Sequence, residues 1–337
     1  MSTDRADGAV VCSFVIPVRN DARRLRNCLA AIRRNGIAAD AIEIVVVDNG
    51  STDGSAETAR ACGAAVVSAP RLRVGALRNL GARCARGEIL AFIDADHEIG
   101  EVWAETAVDR FRDPGVAAVG ALCHSPTDAT WVQTSYDDFR DHAPGSREVR
   151  WLGSGNLAVR RRLFEEAGGF DESLEACEDV DLCRRLIAHG GQIWSDEGMR
   201  SVHFGDPATL SQLFRGELWR GRDNLRVTFR SPMTARDAAS AFIPVIGLTG
   251  LSVAVLGAIA APWSGWTIPL LGVLAFACPA VLRAWRMAVR RGRQGLVGVT
   301  RTLLVVFAYD LARALALVVR MPHRSRYRQP LNTAAAR

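Results

Sequence analysis

Two carboxylates one residue apart, Asp94 and Asp96, close the apolar run Leu90-Ala91-Phe92-Ile93. Such a run reads as a buried strand, and in open α/β sheets ligands bind just outside the carboxyl ends of strands. Oxygen donors placed there suit a hard divalent cation such as Mg²⁺ or Mn²⁺, commonly shared with substrate phosphates, which points first to a nucleotide diphosphate. Aspartate also ends strands as a turn former or helix cap, so the pair alone is open to both readings. Other polar clusters sit at comparable positions: Arg19-Asn20 follows one apolar run, and Asp48-Asn49-Gly50-Ser51 follows another. Glu178-Asp179 stands just before Val180, Leu182, Leu186 and Ile187, an apolar set with helical spacing. Both carboxylates therefore fall at a helix start, where anionic groups are also favourable as simple capping.

These groups need a frame, and the hydrophobic pattern supplies one. Residues 10–18 form a β-branched run, and 21–35 then show helical spacing through Leu25, Cys28, Leu29 and Ile32. Residues 42–47 predict a second strand ending at Asp48, Ser51-Thr52-Asp53-Gly54 offers caps for a helix to Cys62, and a short strand follows at 65–67. Residues 74–85 predict a helix carrying Arg78 and Asn79 before the strand that ends at Asp94. This alternation predicts an α/β domain, a mostly parallel sheet with helices on its faces and functional groups at the strand ends. A dinucleotide-binding dehydrogenase would place its glycine fingerprint after the first strand, but that segment reads Val18-Arg19-Asn20-Asp21-Ala22. No G-x-x-x-x-G-K-[ST] loop occurs in the chain either, which argues against an ATPase.

The composition divides the 337 residues in two, at about 1–230 and 231–337. Residues 238–282 carry no charge, a 45-residue stretch in an otherwise richly charged chain. A spanning helix needs about 20 apolar residues, so this length fits a transmembrane hairpin, with helices near 238–261 and 266–282. Pro262-Trp263-Ser264-Gly265-Trp266 forms the turn, its tryptophans placed as an interface belt would want them. A third apolar segment, 302–319, contains Asp310 and Arg313, three apart and able to pair on one helix face. Six arginines lie in 283–301 and more in 320–328, so both flanks of that segment favour the cytoplasm, and a re-entrant or interfacial placement is favoured over a full span.

Residues 10–18 are short, contain Pro17 and follow an acidic start, so they are read as a strand rather than a leader, and the first domain is expected on the cytoplasmic face of a multi-pass inner-membrane protein. Eight cysteines without paired spacing suit free thiols in a reducing compartment. The net charge of +6 comes wholly from arginine, as lysine is absent. Because the arginines crowd the hydrophobic segments, anionic lipid explains the surplus better than nucleic acid, which is not expected as a partner.

Several strings taken in order resemble the family 2 glycosyltransferases: Ser13-Phe14-Val15-Ile16-Pro17-Val18-Arg19-Asn20, Val47-Asp48-Asn49-Gly50-Ser51-Thr52-Asp53, Arg78-Asn79, Asp94-Ala95-Asp96, Gly153-Ser154-Gly155-Asn156, Gly168-Gly169-Phe170-Asp171 and Glu178-Asp179-Val180-Asp181-Leu182. The resemblance covers roughly 11–225. It implies a GT-A fold, a nucleotide-sugar donor, a divalent metal (Mg²⁺ or Mn²⁺) and inversion at the anomeric carbon.

By the same resemblance, Asp48 would accept a hydrogen bond from the donor's base, with Pro17 and Arg19 lining that pocket and Asn20 also binding the donor. Arg78 would face the nucleotide or its diphosphate, where a guanidinium fork matches anionic oxygens. Asp94 would meet the ribose and metal shell, Asp96 would bind the metal, and His203 would join it. Asp179 would be the general base that deprotonates the acceptor hydroxyl, with Glu178 supporting it. Gly153, Ser154, Gly155 and Asn156 would lie beneath donor sugar and acceptor, with Trp151 able to stack on a sugar or to pack in the core. Gln212-Leu213-Phe214-Arg215-Gly216 departs from the Gln-x-x-Arg-Trp pattern of processive synthases, since Gly216 stands where tryptophan would be. Addition of one sugar per encounter is therefore expected. The acceptor would be lipid-linked or membrane-proximal, in cell-envelope or polysaccharide synthesis, and the arginines of 215–230 could grip a lipid phosphate. The alternatives are a polyprenyl-phosphate glycosyl synthase, whose phosphate acceptor needs little base catalysis, and an inactive nucleotide-binding scaffold.

Overall fold

The computed structural model describes residues 10–140, 142, 144–230, 235–290, 292 and 295–319. The acidic start, the division near residue 231 and the arginines of 320–328 lie outside the described residues. Strand β1 (Cys12–Val18) is apolar on both faces, and so is β4 (Ile89–Ile93), as central strands covered by helices on both sides must be. Phe14 and Ile16 pack on one side of the sheet with α1 (Ala22–Arg33), while Val15 packs on the other, the two-residue period of a strand separating two cores. The first half continues through β2 (Ile42–Asp48), α2 (Ser55–Ala61), β3 (Ala65–Ser68) and α3 (Val74–Cys84), with β3, β2, β1 and β4 mutually parallel in that order. Asp53 ties this half together: its Oδ2 accepts from the Ala22 N–H at the start of α1 and its Oδ1 from the Ser55 N–H at the start of α2.

Past β4 the chain adds β5 (His97–Ile99), α4 (Trp103–Arg110), β6 (Val116–Gly120), α5 (Trp131–Asp137), β7 (Ser146–Val149), β8 (Asn156–Arg160), α6 (Arg161–Glu166), α7 (Glu178–Ala188), β9 (Gln192–Asp196) and β10 (Ser201–His203). The main sheet runs β3-β2-β1-β4-β8-β6-β9-β7. Here the expected parallel pattern gives way to a mixed one, since β8 is antiparallel to both β4 and β6, and β7 is antiparallel to β9. Strands β5 and β10 form a separate antiparallel ribbon.

Two features of this topology make a cleft. The order reverses between β1 and β4, so the carboxyl ends of these neighbouring strands diverge into connections on opposite sides, the crevice where open α/β sheets bind ligands. Strand β4 pairs with β1 only over Cys12–Val15, so Pro17, which has no N–H to give, lies beyond that ladder.

The chain then forms α8 (Leu210–Arg220), α9 (Asn224–Thr228), α10 (Ala235–Ser264), α11 (Thr267–Arg290) and α12 (Leu296–Leu315). Two stretches, Ala238–Trp263 and Thr267–Arg290, are long and apolar enough to cross a membrane. Leu256, Ile259, Trp263, Trp266, Leu270 and Leu271 on this pair are exposed, an apolar surface without protein cover. The pair packs closely: a Cβ on Gly272 would come 2.6 Å from the Gly250 carbonyl oxygen, so only glycine fits that crossing. Arg283, Arg286 and Arg290, which lie past the helix expected near 266–282, extend it as α11, because arginine is a good helix former and no glycine or proline intervenes before Gly292. The pairing of Asp310 with Arg313 is also corrected. Asp310 binds Arg283 of α11 at 2.7 Å and Arg313 reaches Glu217 of α8 at 3.7 Å, so α12 joins the hairpin to the first domain.

Candidate active site

At the end of β4, Asp94 and Asp96 stand beside the ribbon that carries His97 opposite His203. The two imidazoles stack with centroids 4.4 Å apart. Each is oriented through its Nδ1: that of His97 lies 3.0 Å from Ser201 Oγ, and that of His203 lies 2.8 Å from Asp206 Oδ1. Arg140 grips Asp206 with both guanidinium nitrogens, at 2.6 and 2.7 Å. A carboxylate or hydroxyl that fixes one ring nitrogen turns the other to the metal side. Accordingly, Nε2 of His203 lies 3.4 Å from Asp96 Oδ2, and ligand atoms of Asp94, Asp96 and His97 fall within 4.8 Å of one another.

The charges favour a cation. Burial and the neighbouring His203 push the His97 imidazole down to about 4, so it is neutral and able to ligate at pH 7. Asp96 is buried, yet the His203 imidazole holds its carboxyl well below the usual carboxylate range. Room is reserved around these donors: a Cβ on Gly205 would lie 2.0 Å from Asp96 Oδ2 and 2.7 Å from His203 Nε2, and one on Gly155 would lie 2.8 Å from Asp94 Oδ2. Two carboxylates with the neutral imidazole of His97 suit a divalent ion such as Mn²⁺.

A second pair of carboxylates approaches from α7. This helix begins from Cys177, held in the left-handed region at φ 62°, a conformation that strains a residue with a side chain. Glu178 is buried against Arg78, its Oε1 2.8 Å from Nη1, while Nη2 of the same guanidinium is 2.6 Å from Asp94 Oδ1. This buried side chain thus bridges the two carboxylate pairs. Asp179 is half-buried, and its Oδ1 accepts from its neighbour's N–H at Val180. Burial, reinforced by the charge of Glu178, raises its pKa to about 7.

The loop before β8 joins the two sides. Register pairs Asn156 with Ile93, and the Asp94 N–H donates to the Gly155 carbonyl at 3.2 Å. From there the loop reaches Gly153, whose Cβ position lies 3.8 Å from Asp179 Oδ2. Ser154 Oγ lies 3.4 Å from Glu178 Oε1, and Trp151 is exposed, which removes the core-packing alternative.

Asn156 is buried, its side chain donating to the carbonyls of Ala121 and Met199 and accepting from Trp103 Nε1. Asn20, left-handed at φ 54°, accepts from the Thr52 N–H and so pins the loop after β2. Asp48 lies at the end of β2, where its carboxylate accepts from the Ser51 N–H, and Arg19 Nε is buried without a partner among the described residues. Of the arginines expected at a lipid surface, Arg220, Arg222 and Arg230 are paired within the protein, with Glu217, Glu175 and the Asp171/Asp181 pair. Sequence reasoning missed His97, Asp206 and Gly205, although His97 directly follows Asp96.

The fold and this convergence of carboxylates at the β1/β4 crevice define a GT-A domain. The chain matches the model of glycosyl transferase family 2 over residues 13–168. It is 30% identical over 194 residues to the pre-mycofactocin glycosyltransferase of Mycobacterium tuberculosis, covering 54% of this chain and 40% of that one. It is also 28% identical to glycosyltransferase AglE of Haloferax volcanii, covering 64% of this chain and 73% of that one. The chain thus spans less than half of the mycobacterial relative. A solved mannosyltransferase of Pyrobaculum calidifontis, in complex with GDP-Man and Mn²⁺, shares the fold with a TM-score of 0.59 at 19% identity, covering 93% of this chain and 90% of that one.

Proposed function

We propose that the protein transfers a single sugar, with inversion, from a nucleotide-sugar donor to a hydroxyl of a lipid-linked or membrane-proximal acceptor, using a divalent metal. The observation that carries this reading is the Arg78 bridge, which holds Asp94 on one side and Glu178 on the other, so that a metal-ligating pair and a basic carboxylate face one cleft. Asp94, Asp96 and the imidazoles of His97 and His203 would hold Mn²⁺ or Mg²⁺. When bound, such an ion neutralises the diphosphate of the departing nucleotide.

The chain's own residues supply the rest. Asp48, Pro17 and Arg19, at the ends of the first two strands, would receive the base and fix the donor. Gly153 and Gly155 let backbone approach the sugar closely, and exposed Trp151 offers a stacking face. Asp179, its carboxyl raised to about 7, takes the acceptor hydroxyl's proton as the oxygen attacks the anomeric carbon directly and the bond to the diphosphate breaks. Glu178 raises that basicity while Arg78 keeps Glu178 in place. The apolar pair at Ala238–Trp263 and Thr267–Arg290 supports attachment to a membrane, with the cleft on the cytoplasmic face.

A panel of nucleotide sugars, screened by thermal shift with and without Mn²⁺, tests donor binding. One donor is expected to raise the melting temperature in a Mn²⁺-dependent way. No response to any nucleotide or nucleotide sugar would contradict the reading.

A further inference from the structure

Outside the cleft, His124 and His142 stack with ring centroids 4.2 Å apart and planes 17° from parallel. Asp137 sits beside them, its Oδ2 3.2 Å from His142 Nε2. One ligand atom from each of the three residues lies within 4.8 Å of the others. His124 is anchored by its backbone, its N–H donating to Ser201 and its carbonyl accepting from His203, both at 2.8 Å. Asp137 ends α5, a helix fixed at its start by the capping box of Thr130 and Gln133. The positions of two of the three donors are thus set by elements that do not depend on an ion.

We propose that His124, Asp137 and His142 form a second cation site, separate from the Asp94/Asp96 cluster, that takes a borderline transition ion such as Zn²⁺. Two imidazoles and one carboxylate make a nitrogen-rich set, and imidazole suits Zn²⁺, while carboxylate-rich sets suit the harder ions. Three protein ligands at a solvent-facing rim, where His124 is exposed, leave a position for water or an exchangeable ligand. The site is wired to the first one: Arg140 Nη1 lies 2.7 Å from both Asp137 Oδ1 and Asp206 Oδ2, and Asp206 in turn orients His203.

The test uses the full chain without a histidine tag, stripped with a chelator and titrated with Zn²⁺ by calorimetry and with Co²⁺ by visible absorption. The Asp96→Ala/His203→Ala variant is expected to keep one Zn²⁺ and the visible bands of nitrogen-ligated Co²⁺. Adding His124→Ala/His142→Ala to that variant is expected to lose both, with Zn²⁺ affinity down at least about tenfold, since even outer-shell changes cost about 10–100-fold. His142→Gln, which keeps side-chain bulk and polarity, is expected to show the same loss and serves if the double variant does not fold. Zn²⁺ binding unaffected by the His124 and His142 substitutions, or absent from the Asp96→Ala/His203→Ala variant, would overturn the proposal and leave a stacked histidine pair held by Asp137 alone.

Discussion

Gly205 shows how much of the cluster at the end of β4 depends on single atoms. Its hydrogen occupies the place where a methyl group would stand 2.0 Å from Asp96 Oδ2 and 2.7 Å from His203 Nε2. Gly205→Ala is therefore expected to displace those donors without removing them, and overpacking of this kind costs about 1–3 kcal/mol. Calorimetric titration with Mn²⁺ should show binding weakened by about tenfold or more, while the far-ultraviolet circular dichroism is unchanged; wild-type Mn²⁺ affinity would contradict this role. At this scale the carboxylates were legible in the sequence, because Asp-x-Asp after an apolar run and Glu-Asp before a helical one each have a local signature. Gly205 and Asp206 were not, since their importance arises only when β10 folds back onto β5, and no local pattern encodes that pairing. The Arg78 bridge was not legible either, since it joins Asp94, 16 positions away, to Glu178, 100 positions away.

Elements place those atoms, and here β8 is decisive. Running antiparallel between β4 and β6, it sets Gly155 beside Asp94 and leaves Asn156 facing the opposite way. Asn156 then stitches α4 to the strands, through Trp103 Nε1 and the carbonyls of Ala121 and Met199. Asn156→Ala leaves three buried polar groups unpaired, each costing about 1–3 kcal/mol. A drop in unfolding free energy of at least about 2 kcal/mol is expected in denaturant titrations; a loss under about 0.5 kcal/mol would show that the asparagine does not hold the core. The parallel half of the sheet could be read from alternating apolar and helical runs, down to strand ends within a few residues. The mixed half could not, because strand direction is set by pairing partners distant in sequence rather than by periodicity.

Across the whole molecule, one charge network and one apolar surface give the cleft its setting. Glu217 of α8 takes Arg220 at 2.6 Å and Arg313 of α12 at 3.7 Å, and Arg283 of α11 takes Asp310 at 2.7 Å. These pairs link the domain that carries the cleft to the apolar helix pair, and they use several arginines that composition alone assigned to lipid. The 45-residue uncharged stretch announced that helix pair without ambiguity, since no local exception interrupts it. Its continuation into α11 as far as Arg290 was hidden, because charge marks the end of an apolar run and not the end of a helix. The cleft's central claim is that Asp179 removes the acceptor proton while the cluster at Asp94 and Asp96 holds the donor's diphosphate. The most direct test is the pH dependence of the sugar-transfer rate, measured for the full chain and for Asp179→Asn with the donor found by thermal shift. A base is active when deprotonated, so a carboxyl raised to about 7 gives a rate that climbs with pH and levels off above that value. Asp179→Asn is expected to lose that limb and at least about a hundredfold in rate; a variant that keeps the wild-type rate and the same limb would contradict the account.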